Sequence, residues 1–321
     1  MSSLSPQVVV VGSVMQDMTF KCTEFPARGE TVVGRLAVGQ GGKGSNQAIA
    51  CGRAGARTVF VGAMGPGDFV QQVQSVYSKA GIGCRLAVKR GASTGTAVIL
   101  INHEGQNEIV IEPGANARLA PADVPRKLLE QSRVALVQLE ANLTTTAHVL
   151  RTARRAGVTT MLNPAPMRVD FDAGLLQHVD ILVPNETEFA ALVRGRPGFR
   201  LPQFSEPELH AMPANQLHAL CRRFEVPTVI ITLGRRGCFI SLADGHHRLP
   251  AYGGMKVVDT TGAGDAFCGG FAAGLVEHRG DILSAARLGT AVAALSITKP
   301  GAAASMPTRA AVQRFLRSGK V

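Results

Sequence analysis

Tryptophan is absent from this 321-residue chain, and only two tyrosines accompany thirteen phenylalanines. A groove for single-stranded nucleic acid needs aromatic platforms on which bases stack. That class of partner is therefore disfavoured, even though lysine and arginine outnumber the acids and the formal charge is +11. The basic residues are also dispersed, with short clusters only at Arg151, Arg154 and Arg155 and at Arg235 and Arg236. A diffuse positive field of this kind suits small anionic ligands such as nucleotides. No apolar run reaches the roughly eighteen residues of a membrane span, and no basic-then-apolar leader opens the chain, so a soluble protein without a membrane partner is expected.

The six cysteines, at positions 22, 51, 84, 221, 238 and 268, show no paired spacing. This speaks against a disulfide framework or a cysteine zinc site and for a reducing, intracellular compartment. The eight histidines form no His-Glu-x-x-His motif; the adjacent His246 and His247 read as solvated residues of a glycine-containing turn. Asn142-Leu143-Thr144 matches a glycosylation sequon, which carries no weight without a secretory leader. The C-terminal Ser318-Gly319-Lys320-Val321 is not a Ser-Lys-Leu address, so the cytoplasm is the expected location, with an organelle as the alternative.

What the chain does have is apolar content, 45% of residues, enough for a large core. Short apolar runs at 8–12, 57–61, 134–139, 159–162, 180–183, 228–232 and 238–242 read as buried strands, most of them alternating with helix-like segments. That rhythm predicts an α/β fold with a doubly wound, mainly parallel sheet covered on both faces. Ligands in such sheets bind at the carboxyl ends of the strands, where Asp17, Glu140, Asn163, Asn185 and Gly234 fall. Two stretches, 19–38 and 96–111, break the rhythm with hairpin-like patterns. They predict a small separate sheet, either a lid over the site formed by about 17–40 and 95–113 within a single domain of residues 1–321, or a plain edge decoration. Residues 194–215, rich in proline, glycine and arginine, read as a surface insertion.

Two glycine-rich turns carry the chemistry. Asp259-Thr260-Thr261-Gly262-Ala263-Gly264-Asp265 follows an apolar run at 255–258 that reads as a strand, and it precedes a helix expected over 266–277. Free N–H groups and the positive end of a helix can cradle phosphate oxygens at such a turn, and Asp265 beside them can accept the proton of an attacking hydroxyl. A simple strand-to-helix turn with an aspartate N-cap has the same appearance. No Walker lysine follows the second glycine, so backbone dipoles and a cation must meet the electrophile's charge. The nucleophile must come from a bound alcohol. The second turn, Gln40-Gly41-Gly42-Lys43-Gly44-Ser45-Asn46, precedes a helix expected over 47–54. Lys43 and Asn46, joined by Asp17 and Glu140, offer the donors and acceptors that a polyol requires. Alone this turn would read as structural, but beside the first it points to a hydroxyl-rich substrate.

Taken together, Gly41-Gly42-Lys43-Gly44-Ser45-Asn46, Asn185-Glu186-Thr187-Glu188, Thr232-Leu233-Gly234-Arg235-Arg236-Gly237 and 259–265 resemble, in order and spacing, the signatures of the ribokinase group of pfkB-type sugar and nucleoside kinases. The resemblance runs from Val8 to about Phe315 and includes the strings Gly105-Gln106-Asn107, Pro113-Gly114-Ala115-Asn116 and Asn163-Pro164-Ala165-Pro166. It implies a three-layer α/β/α sandwich with a small β-sheet lid and ATP-dependent phosphorylation of ribose at its primary hydroxyl. Asp265 would be the catalytic base, with the backbone of 261–264 (Gly262, Ala263 and Gly264 on the ATP side) as the anion hole. Asp17, Gly42, Lys43, Asn46 and Glu140 would hold the sugar, with Met15 at a position where bacterial members of the group commonly carry a sugar-binding asparagine. Asn185 would lie near the triphosphate and Glu188 would organise Mg²⁺ through water; Thr232, Gly234 and Gly237 would line the nucleotide groove and Thr290 its adenine end. An activating K⁺ would be held by Asp259 and Thr261, with Ser296, Lys299, Gly301 and the Ser305 region closing around it. The resemblance also implies a homodimer formed through the lid. Fructose, deoxyribose or adenosine kinases of the same fold are the alternatives within enzymes, and a non-catalytic sugar sensor is the alternative outside them.

Overall fold

Four consecutive valines, Val8–Val11, form strand β1, and none is more than 3% exposed. β-branched side chains favour extended backbone, and an unbroken apolar run must bury both faces of its strand. Val8 and Val10 enter one core while Val9 and Val11 enter another on the opposite side. The computed structural model describes residues 5–194 and 205–318. Among these described residues the remaining strands are β2 (Met15–Lys21), β3 (Arg35–Gly41), β4 (Thr58–Met64), β5 (Gly83–Val88), β6 (Gly95–Ile101), β7 (Asn107–Glu112), β8 (Val134–Val137), β9 (Thr159–Leu162), β10 (Ile181–Leu182), β11 (Thr228–Thr232), β12 (Cys238–Ser241) and β13 (His246–Leu249).

Nine of these form one sheet in the order β13-β12-β11-β10-β9-β8-β1-β4-β5. Every pair from β5 to β11 is parallel, and β12 and β13 add an antiparallel edge. Helices Lys43–Ala54, Phe69–Lys79, Ala263–Glu277, Ile282–Ser296 and Arg309–Arg317 pack on one face, through residues such as Ile49, Val73, Phe271, Val292 and Val312. Leu143–Arg155, Glu186–Arg194 and Ala214–Arg222 cover the other, through Val149, Phe189 and Leu217. The expected three-layer α/β/α sandwich is thus observed. So is the small second sheet, in the order β3-β2-β6-β7.

Several local expectations need correction. Residues 255–258 are not a strand: Val257 and Val258 are more than half exposed, and Val258 N–H donates to Ile297 O rather than to a ladder. The helix after the 259–265 turn begins at Ala263, so Gly264 and Asp265 lie in its first turn. The earlier helix begins at Lys43 and therefore contains Lys43 and Asn46. His246 belongs to β13, where its ring stacks on Phe239 and meets His218. Of the expected insertion at 194–215, residues 195–204 lie outside the described residues, and Glu206–Ala211 is helical.

Glycine sets how closely the helices approach. A Cβ on Gly269 would stand 2.4 Å from the backbone oxygen of Gln47, so only glycine lets helix Ala263–Glu277 lie against helix Lys43–Ala54. Gly269 is one turn beyond Asp265 on the same face, and this contact brings Asp265 over the other helix's first turn.

Candidate active site

Strand β3 ends at Gly41, and helix Lys43–Ala54 follows after a single residue, Gly42. Gly42 has φ +89°, and a Cβ there would meet the backbone of Met15 and Val14 at 2.9 Å. Gly41 leaves room of another kind: its missing Cβ would lie 2.0 Å from Asp17 Oδ2. The glycine pair therefore turns the chain and lets the Asp17 carboxylate lean over it. Glu140, three residues beyond the end of β8 at Val137, accepts the Lys43 N–H at 2.9 Å and the Ser13 hydroxyl on the same oxygen, Oε2. Asp265 is buried, 7% exposed, and accepts Asn46 Nδ2 on Oδ2 and Gln47 Nε2 on Oδ1, each at 2.9 Å.

The Asn185–Glu188 tetrad is a reciprocal capping arrangement at the start of helix Glu186–Arg194. Asn185 Oδ1 accepts Glu188 N–H at 2.8 Å and Glu188 Oε2 accepts Asn185 N–H at 2.9 Å. A polar cavity is lined by Lys43, Asn163, Asn185, Glu188, Thr232, Gly262, Ala263, Gly264 and Asp265, whereas Asp17, Gly42, Asn46 and Glu140 are not in its lining. A longer, mostly apolar cavity shares Thr232, Thr260, Ala263 and Gly264 with it and continues past Gly234, Gly237, Tyr252, Val257, Phe267, Thr290 and Ile297. The helix N-terminus at Ala263 stands where the two meet. A polar end for phosphates and an apolar end for a flat base is the layout a nucleotide needs.

Electrostatically, Asp265, Glu140 and Glu188 act on one ammonium, that of Lys43, and Asp17 couples to the first two of them. Burial first, then Glu140 and Asp265, push the Asp17 carboxyl up to about 7. Burial pushes Glu188 up to about 7 as well, against the Asn185 N–H and the Lys43 charge, and it raises Glu140 against Lys43 and Ser13. Burial alone would lower the Lys43 ammonium, but Asp265, Glu140 and Glu188 outweigh it and hold Lys43 above its ordinary value. An excess of acceptors over donors suits a ligand that brings hydroxyl hydrogens, and a metal cation at the phosphate end.

At the cation candidates, Asp259 Oδ1 accepts Thr261 N–H and Oδ2 accepts Gly301 N–H, each at 2.8 Å. These bonds together hold the Asp259 carboxyl below its usual range, overcoming burial, which pushes it up. Ser296 and Ser305 are buried and spend their hydroxyl hydrogens on Ala293 O and Ala302 O; Lys299 is exposed. The structure thus gathers Asp259, Thr261 and Gly301, with Ser296, Lys299 and Ser305 on the neighbouring 296–305 segment. Thr290 is buried and bonded to Ala286 O within its own helix. Met15 is buried with Ala97 and Ile99, on the strand face that also carries Asp17.

Sequence reasoning gave no role to Gln47, Gln138 or Asn116 and placed Asn163 only at the ligand-binding ends of the strands; all four are buried and bonded into or beside the site. Asn116 clamps Val14 through both its N–H and C=O, at 3.0 and 2.9 Å, next to Gly42. Gln138 interrupts the apolar run at 134–139 directly after β8, a polar interruption that could have marked it.

The pfkB family carbohydrate kinase model matches residues 5–309. The ribokinase of Haemophilus influenzae is 34% identical over 313 residues, covering 96% of this chain and 98% of that protein. The deoxyribokinase of Salmonella typhimurium is 30% identical, covering 94% and 95%. Among solved structures, the Giardia lamblia ribokinase superposes with a TM-score of 0.88 at 31% identity, covering 98% of this chain and 99% of that one. The Arabidopsis thaliana ribokinase complexed with ribose and ATP gives 0.84 at 28%, also covering 98% and 99%.

Proposed function

The chain belongs to the pfkB family of carbohydrate kinases, and we propose that within it the protein transfers the γ-phosphoryl group of ATP to the primary hydroxyl of D-ribose, giving ribose 5-phosphate. The observation that carries this reading is Asp265, buried in the lining of the polar cavity one residue beyond Gly264, which both cavities share, and tied by Asn46 and Gln47 to the helix that also bears Lys43. Asp17, Gly42, Lys43, Asn46 and Glu140 hold the sugar, with acceptors matched to its hydroxyls. ATP lies along the longer cavity, its base toward Thr290 and its γ-phosphoryl against the N–H groups of 261–264. Asp265 takes the hydroxyl proton as that oxygen attacks phosphorus in line, and the N–H groups and Lys43 meet the charge that develops on the transferred group.

Glu188 fits a hydrated Mg²⁺: it lines the polar cavity, and among the described residues only its Oε2 accepts a hydrogen bond from the protein. The ion would neutralise phosphate charge. The oxygen set of Asp259 with the 261 and 296–305 backbone fits a weakly held K⁺, which would order the 259–264 turn. We further propose that β2, β3, β6 and β7 act as a lid over the sugar. Val38, Met18, Val98 and Val110 form a row across the face of that sheet opposite Asp17, and Val38 and Val110 are more than half exposed. A second copy of the chain covers that row, giving a homodimer. Six unpaired cysteines fit a reducing cytoplasm.

A second reading, deoxyribose as substrate, is favoured by the deoxyribokinase relative and by Met15, whose side chain supplies no amide. An ADP-release assay across ribose, deoxyribose, fructose and adenosine separates the readings. Ribose is expected to give the highest kcat/KM; activity confined to nucleosides would defeat both sugar assignments.

A further inference from the structure

Gln47 is fully buried, and its amide is committed at both ends. Nε2 gives one hydrogen to Asp265 Oδ1 and the other to Asn163 Oδ1, both at 2.9 Å, while Oε1 accepts Gln138 Nε2 at 2.6 Å. By shape alone the amide could sit either way round; its neighbours decide. Asn163 spends its own Nδ2 on Val183 O at 2.8 Å, which turns Oδ1 toward Gln47 as an acceptor. Reversing Gln138 would set its oxygen against Gln47 Oε1, two acceptors with no hydrogen between them. As it stands, Gln138 Oε1 is buried without a partner among the described residues. It fills the space of a Cβ on Gly12, which would lie only 2.0 Å away. Leaving a buried acceptor unpaired is unfavourable, and in return the NH₂ of Gln47 always faces the carboxylate.

We propose that Gln47 is a positioning residue for Asp265, its polarity fixed from behind by Gln138 and Asn163. With Asn46 on the second oxygen, each carboxylate oxygen accepts one amide hydrogen. That fixes the carboxylate plane and leaves a lone pair for the substrate hydroxyl, so the proton is taken without reorientation. The inference rests on the reading of Asp265 as the base. Gln138 makes the relay testable at a distance, because it bonds Gln47 and not Asp265.

The test measures kcat, the KM values for ribose and ATP, and the melting temperature of Gln47→Met, Gln138→Met, the double variant and Asp265→Asn. Gln47→Met is expected to lower kcat by roughly 10- to 100-fold with both KM values within about threefold, the signature of an interaction that matters in the transition state. Gln138→Met is expected to lose roughly three- to tenfold, and the double variant no more than Gln47→Met alone, because members of one relay do not add. Unchanged kcat in Gln138→Met, losses that multiply in the double variant, or effects confined to KM would each overturn the proposal. If Gln47→Met does not fold, Gln138→Met decides alone. Near-normal turnover of Asp265→Asn would remove the premise; an inactive Asp265→Asn beside a fully active Gln47→Met would remove this inference only.

Discussion

Asp259 accepts the backbone N–H of Gly301 at 2.8 Å across 42 residues of sequence, while its other oxygen holds the N–H of Thr261. One carboxylate thus ties the turn that leads into helix Ala263–Glu277 to the segment that follows helix Ile282–Ser296. Asp259→Ala removes both ties and the charge between them. Turnover is expected to fall about tenfold or more, the scale of losing preorganised donors at an anion hole, and stimulation by KCl over choline chloride to disappear. Retained K⁺ stimulation in this variant would remove Asp259 from the cation site.

Asp265→Asn preserves shape and loses the proton acceptor. A drop in kcat of at least about a hundredfold is expected, as for loss of a general base, with the melting temperature and ATP binding little changed. Single-turnover measurements at saturating ribose and ATP check it.

The raised carboxyl of Asp17 carries a pH signature in the ligand-free protein. Its folded pKa of about 7 lies above the unfolded value of 3.8, so between these limits the folded state binds the proton more tightly than the unfolded chain. The stabilisation is complete below the unfolded value and is lost as pH rises through about 7. The melting temperature of the ligand-free protein is expected to fall from pH 5 to 7.5, less steeply in Asp17→Asn; equal slopes would contradict the assignment.

Val38→Glu places a charge in the exposed apolar row of the small sheet. Sedimentation velocity is expected to show a dimer for the parent protein and a monomer for the variant, because an unpaired charge is not tolerated in a buried interface core. A monomeric parent would overturn the homodimer, and an unaffected dimer would remove this row from its interface.

Much of the architecture could be read from period and punctuation. The unbroken valines of β1 announce a strand buried on both faces, and the glycines at 41 and 42 mark a sharp entry into a helix. The run at 255–258 misled for a physical reason. Met255 and Val257 line the long cavity, so their apolar character belongs to a cavity wall and not to a ladder. His246 was obscured by Gly245, which ends the β12–β13 turn while the histidine already stacks on Phe239. Gln47 and Gln138 were illegible for a different reason. A buried amide has no period of its own, and its partners, Asp265 and Asn163, lie 218 and 116 residues away from Gln47.

Gly42 also bears on how this chain can change in length. With β3 ending at Gly41 and the helix starting at Lys43, the junction has no slack. One inserted residue would rotate the helix by about 100° relative to the strand, carrying Asn46 and Gln47 off Asp265 together. The connection between β2 and β3, by contrast, is almost wholly exposed from residue 23 to residue 34 and can grow or shrink with little penalty. Length variation among descendants of this sequence should therefore gather at the far rim of the small sheet and be absent at its junction with the helix.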